Sequence, residues 1–375
     1  MIAEKEKTEI DLLTNPDISP CVSIIFPTHV TYPQFKDDKQ KLRELLQRTE
    51  DYLEINYSKG IALPMINKVY ALANSIDFYF HARSKGLGIF VSPDVAKIVR
   101  FPFTVKEKVV IADTFETRDI VLLENYRLDY LVLCLNEKSI RLFKGKGMEI
   151  EELNDNNFPT EFIDEFEEPK PSRGSSYSSS LKGMKDKSLI KEERFTAFLR
   201  IIDKKISPYI DLKSKLILSG GKKNIADFEK ISGHTEKIIS KVVGNHNYDN
   251  LKTFYDLVWE QVINYLNQRN EVIFKQFVEA YGTGLAISGI EKVWKAAKEG
   301  KGLTLLVEKD FSHVGFLAKN EYKLLLNPPN TLHKIITDSV DDVIETILKK
   351  WGNVVFLENG KLNEYGNIGL LMRYV

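Results

Sequence analysis

Six histidines could do acid–base or metal chemistry: His29, His81, His234, His246, His313 and His333. They are scattered, and no pair of histidines or cysteines has the spacing that sets ligands on one helix face, so no metal site is expected. His29 is the exception worth following. It comes directly after Pro27-Thr28 at the exit of a strand-like run, and α/β folds place ligands at the carboxyl ends of strands. It is the candidate catalytic residue, with a capping or loop histidine as the plainer reading. Cys21 and Cys134 both lie in β-like apolar contexts and read as small buried hydrophobes, not as a disulfide or a nucleophile. A serine hydrolase would want a G-x-S-x-G elbow, and none occurs.

Two glycine-rich spots invite a phosphate reading. Gly220-Gly221-Lys222-Lys223 follows a strand and precedes a helix, where backbone amides bind anions. It lacks the spacing of a Walker loop, so a tight strand-to-helix turn is expected instead. Gly282-Thr283-Gly284 is no dinucleotide fingerprint, because Gly289 comes too late, and it reads as a domain junction. No cofactor is expected.

The strongest chemical signal is a reversal of charge. Glu149 to Pro169 holds nine acids and no lysine or arginine, whereas Lys170 to Lys205 holds ten bases against four acids. A serine run, Ser175-Ser176-Tyr177-Ser178-Ser179-Ser180, lies in the basic part. Such a tract is too polar to pack, and a mobile loop is expected near 149–190. Its bases, Arg173, Lys182, Lys185, Lys187, Lys191 and Arg194, suit an arm that contacts nucleic-acid phosphates. A solvated linker is the plainer reading.

These residues need elements to hold them. Val22 to Phe26 is a strand candidate closed by Pro27; Leu42, Leu45, Leu46, Tyr52 and Leu53 stripe a helix, and a second helix is expected to start near Pro64, as a first-turn proline. Gly86 to Val91, Ala96 to Phe101 and Lys108 to Ala112 read as short strands. Asp129 to Leu135 and Ser139 to Phe143 read as a hairpin turning at Asn136-Glu137-Lys138. Beyond the polar tract, Phe195, Phe198, Leu199, Ile202 and Ile206 have helical spacing, followed by a strand at Leu216 to Leu218 and a helix at Asn224 to Ile231. A long helix is expected over roughly Asp249 to Val278. The last 90 residues alternate helix and strand again.

The chain has 375 residues, which predicts two or three folded units. With 43% hydrophobic and 28% charged residues it is ordinary globular material, and 53 bases against 53 acids leave no global field to draw it to nucleic acid or an anionic membrane, so that any such attraction must be local. Apolar runs are far shorter than the roughly 20 residues of a membrane span. With no signal-peptide core after Met1, a cytoplasmic protein with no membrane partner and no DNA partner is expected.

The order of pieces resembles the archaeo-eukaryotic peptide-chain release factor superfamily, which includes Pelota, and most closely its bacterial and archaeal branch. Lys215-Leu216-Ile217-Leu218-Ser219-Gly220-Gly221, running on to Phe228, is similar to a strand-and-helix motif of that superfamily. Tyr281-Gly282 through Gly289-Ile290 to Gly300, ahead of Thr304-Leu305-Leu306-Val307, looks like the opening of its last domain, and Tyr365 to Tyr374 looks like its ending. Ser23 to His29 resembles the start of the bacterial branch.

The resemblance implies an α/β protein of three domains: an N-terminal α/β domain (1–127), a ribonuclease-H-like middle domain (128–283) and a C-terminal domain of the Pelota and kink-turn-binding ribosomal-protein type (284–375). It also implies the ribosome or tRNA as partner, with a protein partner for the C-terminal domain. Classical release factors carry a GGQ tripeptide in the loop before the Arg-Phe helix, where it helps water cleave peptidyl-tRNA. The matching region, Pro171 to Ile190, has none. The first middle strand has no acid inside it, and Asp129 at its edge is a poor substitute for a nuclease carboxylate. Catalysis is therefore disfavoured. The expectation is a non-hydrolytic translation-associated factor acting in ribosome rescue or regulation. Two alternatives stand beside it: a hydrolase of an ester of tRNA or of a small substrate, acting near Thr28-His29, and an interaction module whose serine-rich loop is phosphorylated.

Overall fold

In the computed structural model the described residues are 19–29, 35–77, 84–136, 138–162, 179–244, 251–318 and 320–374. Two compact units result: Met1–Tyr126 with Asn270–Val375 forms one, and Arg127–Arg269 the other.

In the first unit, β1 (Cys21–Pro27), β2 (Gly86–Val91), β3 (Ala96–Phe101) and β4 (Lys108–Ala112) make an antiparallel sheet in the order β3-β2-β1-β4. Side chains alternate between the faces of a strand, and both faces of β1 are covered, which is why its run is apolar apart from Ser23, whose buried hydroxyl accepts from Glu116 N–H (3.0 Å). Val22, Ile24 and Phe26 pack under α1 (Phe35–Asn56) and α2 (Lys59–Asn74), against Leu45, Leu53, Val69 and others. Cys21 and Ile25 face the other way, with Phe90, Phe101, Phe115 and Ile120. Pro64 is inside α2, not at its start, because the helix begins with Ile61 and Ala62 bonding back to Ser58 O. The buried face of Ala62, Met65, Ile66 and Val69 offsets the hydrogen bond that the proline forgoes. A short helix with no sequence-based expectation, α3 (Arg118–Asn125), follows.

The second unit holds β5 (Asp129–Leu135), β6 (Ser139–Lys146), β7 (Glu149–Glu152), β8 (Thr160–Glu161), β9 (Lys215–Gly220) and β10 (Ile238–Val243). Its sheet runs β10-β9-β5-β6-β7, with β8 on β6. The first three long strands are antiparallel, and β9 and β10 run parallel to β5, which is the ribonuclease-H-like arrangement. Here α4 (Ser179–Ile206) and α5 (Lys222–Ile231) cover Leu131, Leu133, Leu135, Leu216 and Leu218 with Leu199, Ile202, Ile225 and Phe228. Phe143 faces α6 (Leu251–Gly282), its ring centroid 5.5 Å from that of Phe254.

The tract expected as a loop near 149–190 is partly regular structure. Glu149–Glu152 pairs with β6, so its alternating Ile150 gains a strand partner. At the far end α4 begins at Ser179, well ahead of Phe195. Lysine, leucine and methionine are good helix formers, and no proline follows Pro171 before Ile206, so a helix nucleated on its packed half can extend through the polar half. Residues 163–178 lie outside the described ones.

Back in the first unit, the C-terminal segment builds β11 (Ala286–Ser288), α7 (Ile290–Glu299), β12 (Gly302–Glu308), β13 (Gly315–Leu317), β14 (Leu324–Leu325), β15 (Lys334–Ile336), α8 (Ser339–Lys349), β16 (Asn353–Leu357) and β17 (Ile368–Met372). One sheet runs β11-β17-β12-β16, and a small second one β14-β13-β15. Trp294, Val343 and Ile347 from α7 and α8 pack on Leu305, Val307, Phe356 and Leu370. The opposite face, Leu306, Val355 and Leu357, packs on Phe277 of α6. Val121 and Leu122 of α3 join the α7–α8 core, so the two ends of the chain share one hydrophobic cluster.

Candidate functional site

The exit of β1 is held by backbone. Thr28 N–H donates to Lys85 O (3.1 Å), and its hydroxyl donates to Ser84 O (2.9 Å). That sets His29 over the first turn of α1, where Asp38 accepts twice: from His29 N–H at Oδ2 (2.8 Å) and from the ring Nδ1 at Oδ1 (2.6 Å). Asp38 is buried, whereas the imidazole is 48% exposed. A carboxylate only accepts, so the ring donates to it from Nδ1 and turns Nε2 away from Asp38. An imidazole oriented in this way can take a proton from water or a hydroxyl. The structure thus adds an orienting carboxylate that spacing alone does not reveal. Cys21, at the other end of β1, is unsuited as a nucleophile: burial, reinforced by Asp94 and Asp113, pushes its thiol up to about 11, and Sγ donates to Asp113 O (3.5 Å).

In the second unit the aromatic contacts of Phe162 with Phe195 (5.5 Å) and Phe198 (5.3 Å), together with buried Leu199 and Ile202, fix how α4 is seated. Lys191 and Arg194, one turn apart on this helix, are exposed. Lys182, Lys185 and Lys187 belong to the same helix and not to a loop, but their side chains lie outside the described residues, as does Arg173 entirely. The expected arm is therefore, from Ser179 onward, a helix.

The Gly220-Gly221 turn has a packing reason. Gly220 has a φ of 148°, and a Cβ there would lie 2.6 Å from Leu135 O. Asn224 Nδ2 donates to the same carbonyl (3.1 Å), and Lys223 is paired with Glu192. Asp129 is exposed at the start of β5, in register with Lys146. Among the described residues, no three His, Cys, Asp or Glu side chains come together to hold a metal, and no helix is long and apolar enough to cross a membrane.

A cluster that sequence reading missed joins the two ends of the chain in the first unit. Arg118 Nη2 donates to Phe311 O (2.8 Å); Nε lies 2.7 Å from Asp341 Oδ1, an ion pair without hydrogen-bond alignment, and Nη1 lies 3.5 Å from Asp338 Oδ2. Lys108 sits between Glu116 (3.0 Å) and Asp119 (3.6 Å). Burial pushes the Asp341 carboxyl up to about 7, against the pull of Arg118. Burial also raises Asp119. Arg118 and Phe311 are 193 residues apart in sequence, and Asp338 and Asp341 lie further on, so no local pattern announces these partners of Arg118.

Residues 129–301 match the model of bacterial archaeo-eukaryotic release factor family 3. The match opens on β5 and closes just beyond α7, so it contains the hairpin, the Arg-Phe helix, the Leu-Ile-Leu-Ser-Gly-Gly strand and the Gly289–Gly300 motif. Similar solved structures include Pelota of Archaeoglobus fulgidus (16% identity, 77% of this chain and 84% of that chain, TM-score 0.39). Dom34 of S. cerevisiae, described as a translation termination-like factor, is 13% identical over 77% of this chain and 74% of its own, with a TM-score of 0.37. The archaeal translation termination factor aRF1 is 12% identical over 94% and 92%, with a TM-score of 0.23. No curated protein matches the chain.

Proposed function

We propose that this chain, whose residues 129–301 match the model of bacterial archaeo-eukaryotic release factor family 3, is a non-hydrolytic, translation-associated factor that binds the ribosome or tRNA. The observation that carries this reading is the family match over residues 129–301, which includes the basic α4 with Lys191 and Arg194 exposed. Cations on a helix supply a sequence-independent attraction to phosphates. The non-hydrolytic part rests on chemistry: Pro171 to Ile190 contains no glutamine, hence no GGQ to position a water at the ester. The proposed division into domains at 127/128 and 283/284 goes with this reading.

The test is sedimentation of the protein with 70S ribosomes over a salt series, beside a Lys191→Glu/Arg194→Glu variant. Pelleting that weakens as salt rises, and weakens further in the variant, is expected. Salt-independent pelleting or none overturns the proposal. A second reading is favoured by the His29–Asp38 pair alone, namely general-base hydrolysis of an ester of tRNA or of a small substrate. It requires measurable peptidyl-tRNA or aryl-ester hydrolysis that His29→Ala abolishes.

A further inference from the structure

Trp351 stands where a glycine is usual. Helix α8 ends in a Schellman arrangement: Gly352 N–H donates to Ile347 O (2.9 Å) and Trp351 N–H to Leu348 O (3.0 Å), which makes Trp351 the first residue past the cap. Its φ is 61°, in the left-handed region that a bulky side chain disfavours. The glycine comes one residue later, where space demands it, since a Cβ on Gly352 would lie 2.6 Å from Ile347. The indole gains no burial in return, being 84% exposed. A strained backbone that holds a large aromatic ring in solvent calls for a reason outside the fold.

The surroundings say what kind of ligand fits. Thr304 pairs with Asn353, so exposed Leu303 lies at the same end of the sheet as Trp351. Arg373 N–H donates to Lys301 O (2.9 Å), which brings Tyr374, 54% exposed, to that end as well. Lys350 Nζ donates to Lys298 O, and Arg373 Nη2 to Lys350 O (2.8 Å); both bind neutral carbonyls and keep their charge. Lys349 pairs with Glu345 (3.1 Å) and Lys301 with Glu299 (3.4 Å). Lys298 lies over the Trp294 ring, with Asp342 near it. Among these described residues the bases Lys298, Lys301, Lys349, Lys350 and Arg373 outnumber the acids Glu299, Glu345 and Asp342, an excess of positive charge at the end of the sheet that holds the two exposed rings.

We propose that Trp351, with Tyr374 and the flanking Lys350 and Arg373, forms a stacking platform for an unpaired base of single-stranded RNA. An indole offers any base a π-face, and nearby cations meet the phosphates on either side. An acidic protein surface would use the cations but has no need for the strained, outward indole. The site belongs to the first unit and α4 to the second, and the inference uses none of the residues on which the ribosome reading rests.

The test uses the full chain and a fluorescently labelled 12-nucleotide oligo(rA), with a 12-base-pair RNA duplex as control. Expected are preference for the single strand, quenching of tryptophan fluorescence on binding, and affinity about tenfold weaker for Trp351→Gly. Trp351→Tyr should retain most of the binding, and Lys350→Glu/Arg373→Glu should weaken it and flatten its salt dependence. The Trp351→Gly variant should melt at or above the wild-type temperature, because glycine suits the left-handed position; loss of binding then cannot be ascribed to unfolding. Equal affinity of Trp351→Gly and wild type, equal binding of duplex, or no binding of the oligonucleotide overturns the proposal. If the oligonucleotide does not bind but a Trp351-dependent protein does, the patch is a protein-docking surface and the RNA assignment fails.

Discussion

Asp38 shows how much one buried carboxylate can organise. It holds the backbone amide and the ring of His29 at once, and so decides both where the chain leaves β1 and which ring nitrogen faces outward. Removing it strands two donors beside a covered surface, and such losses cost about 1–3 kcal/mol. Asp38→Ala should therefore lower the urea midpoint of unfolding, whereas His29→Ala, which removes only the half-exposed ring, should lower it less. Equal effects of the two variants would mean that the amide bond contributes nothing. Residue type and position brought out His29 in the sequence, because it follows a strand exit. Its partner was not legible: an aspartate nine residues on, in the first turn of a helix, looks like any other exposed N-terminal acid until the loop folds back.

At the scale of elements, local pattern went far. The strands Gly86–Val91, Ala96–Phe101 and Lys108–Ala112 have the bounds that their alternation and flanking turns predict. Strands β5 and β6 pair antiparallel, with Leu135 opposite Ile140, on either side of the expected turn. Where the reading fell short, polar composition or short length was the reason. The front half of α4 has few apolar residues and reads as loop, yet helix propagation from a packed half is inexpensive once nucleation has occurred. Helix α3 has only eight residues, too few for periodicity to stand out. The Gly220 turn is a case in which the sequence poses a question that packing answers. Strand β9 ends so close to β5 that a Cβ at Gly220 would lie 2.6 Å from a carbonyl oxygen. Gly220→Ala should cost about 2 kcal/mol, from this overpacking and the positive φ together. Gly221→Ala, with nothing within 4 Å of its Cβ, should cost much less. Chemical denaturation of the two variants checks both, and equal midpoints would contradict the account.

At the scale of the whole chain, the Arg118 cluster ties residues near 108–119 to residues near 311–341. Burial pushes the Asp341 carboxyl up to about 7, with Asp338 and Glu116 adding to the rise and Arg118 and Lys108 opposing it. A carboxyl whose folded pKa is raised binds more protons in the folded state, so its contribution to stability is full below the unfolded value and is lost as pH rises through about 7. Wild-type protein should accordingly lose stability between about pH 4 and pH 7 relative to Asp341→Asn, measured as the difference in Tm across that range. A difference that does not change with pH would show that Asp341 does not titrate there.

The sequence by itself determined the α/β class, most strand and helix positions, and the resemblance to release factors, because each of these is written in short-range periodicity and in the order of local motifs. Only the tertiary structure decided which distant groups meet: His29 with Asp38, Arg118 with Asp338 and Asp341, and a tryptophan left in solvent at a helix end. Long-range contact depends on how sheets and helices stack, and stacking is set by the sum of many apolar contacts. No spacing of a few polar residues along the chain records that sum.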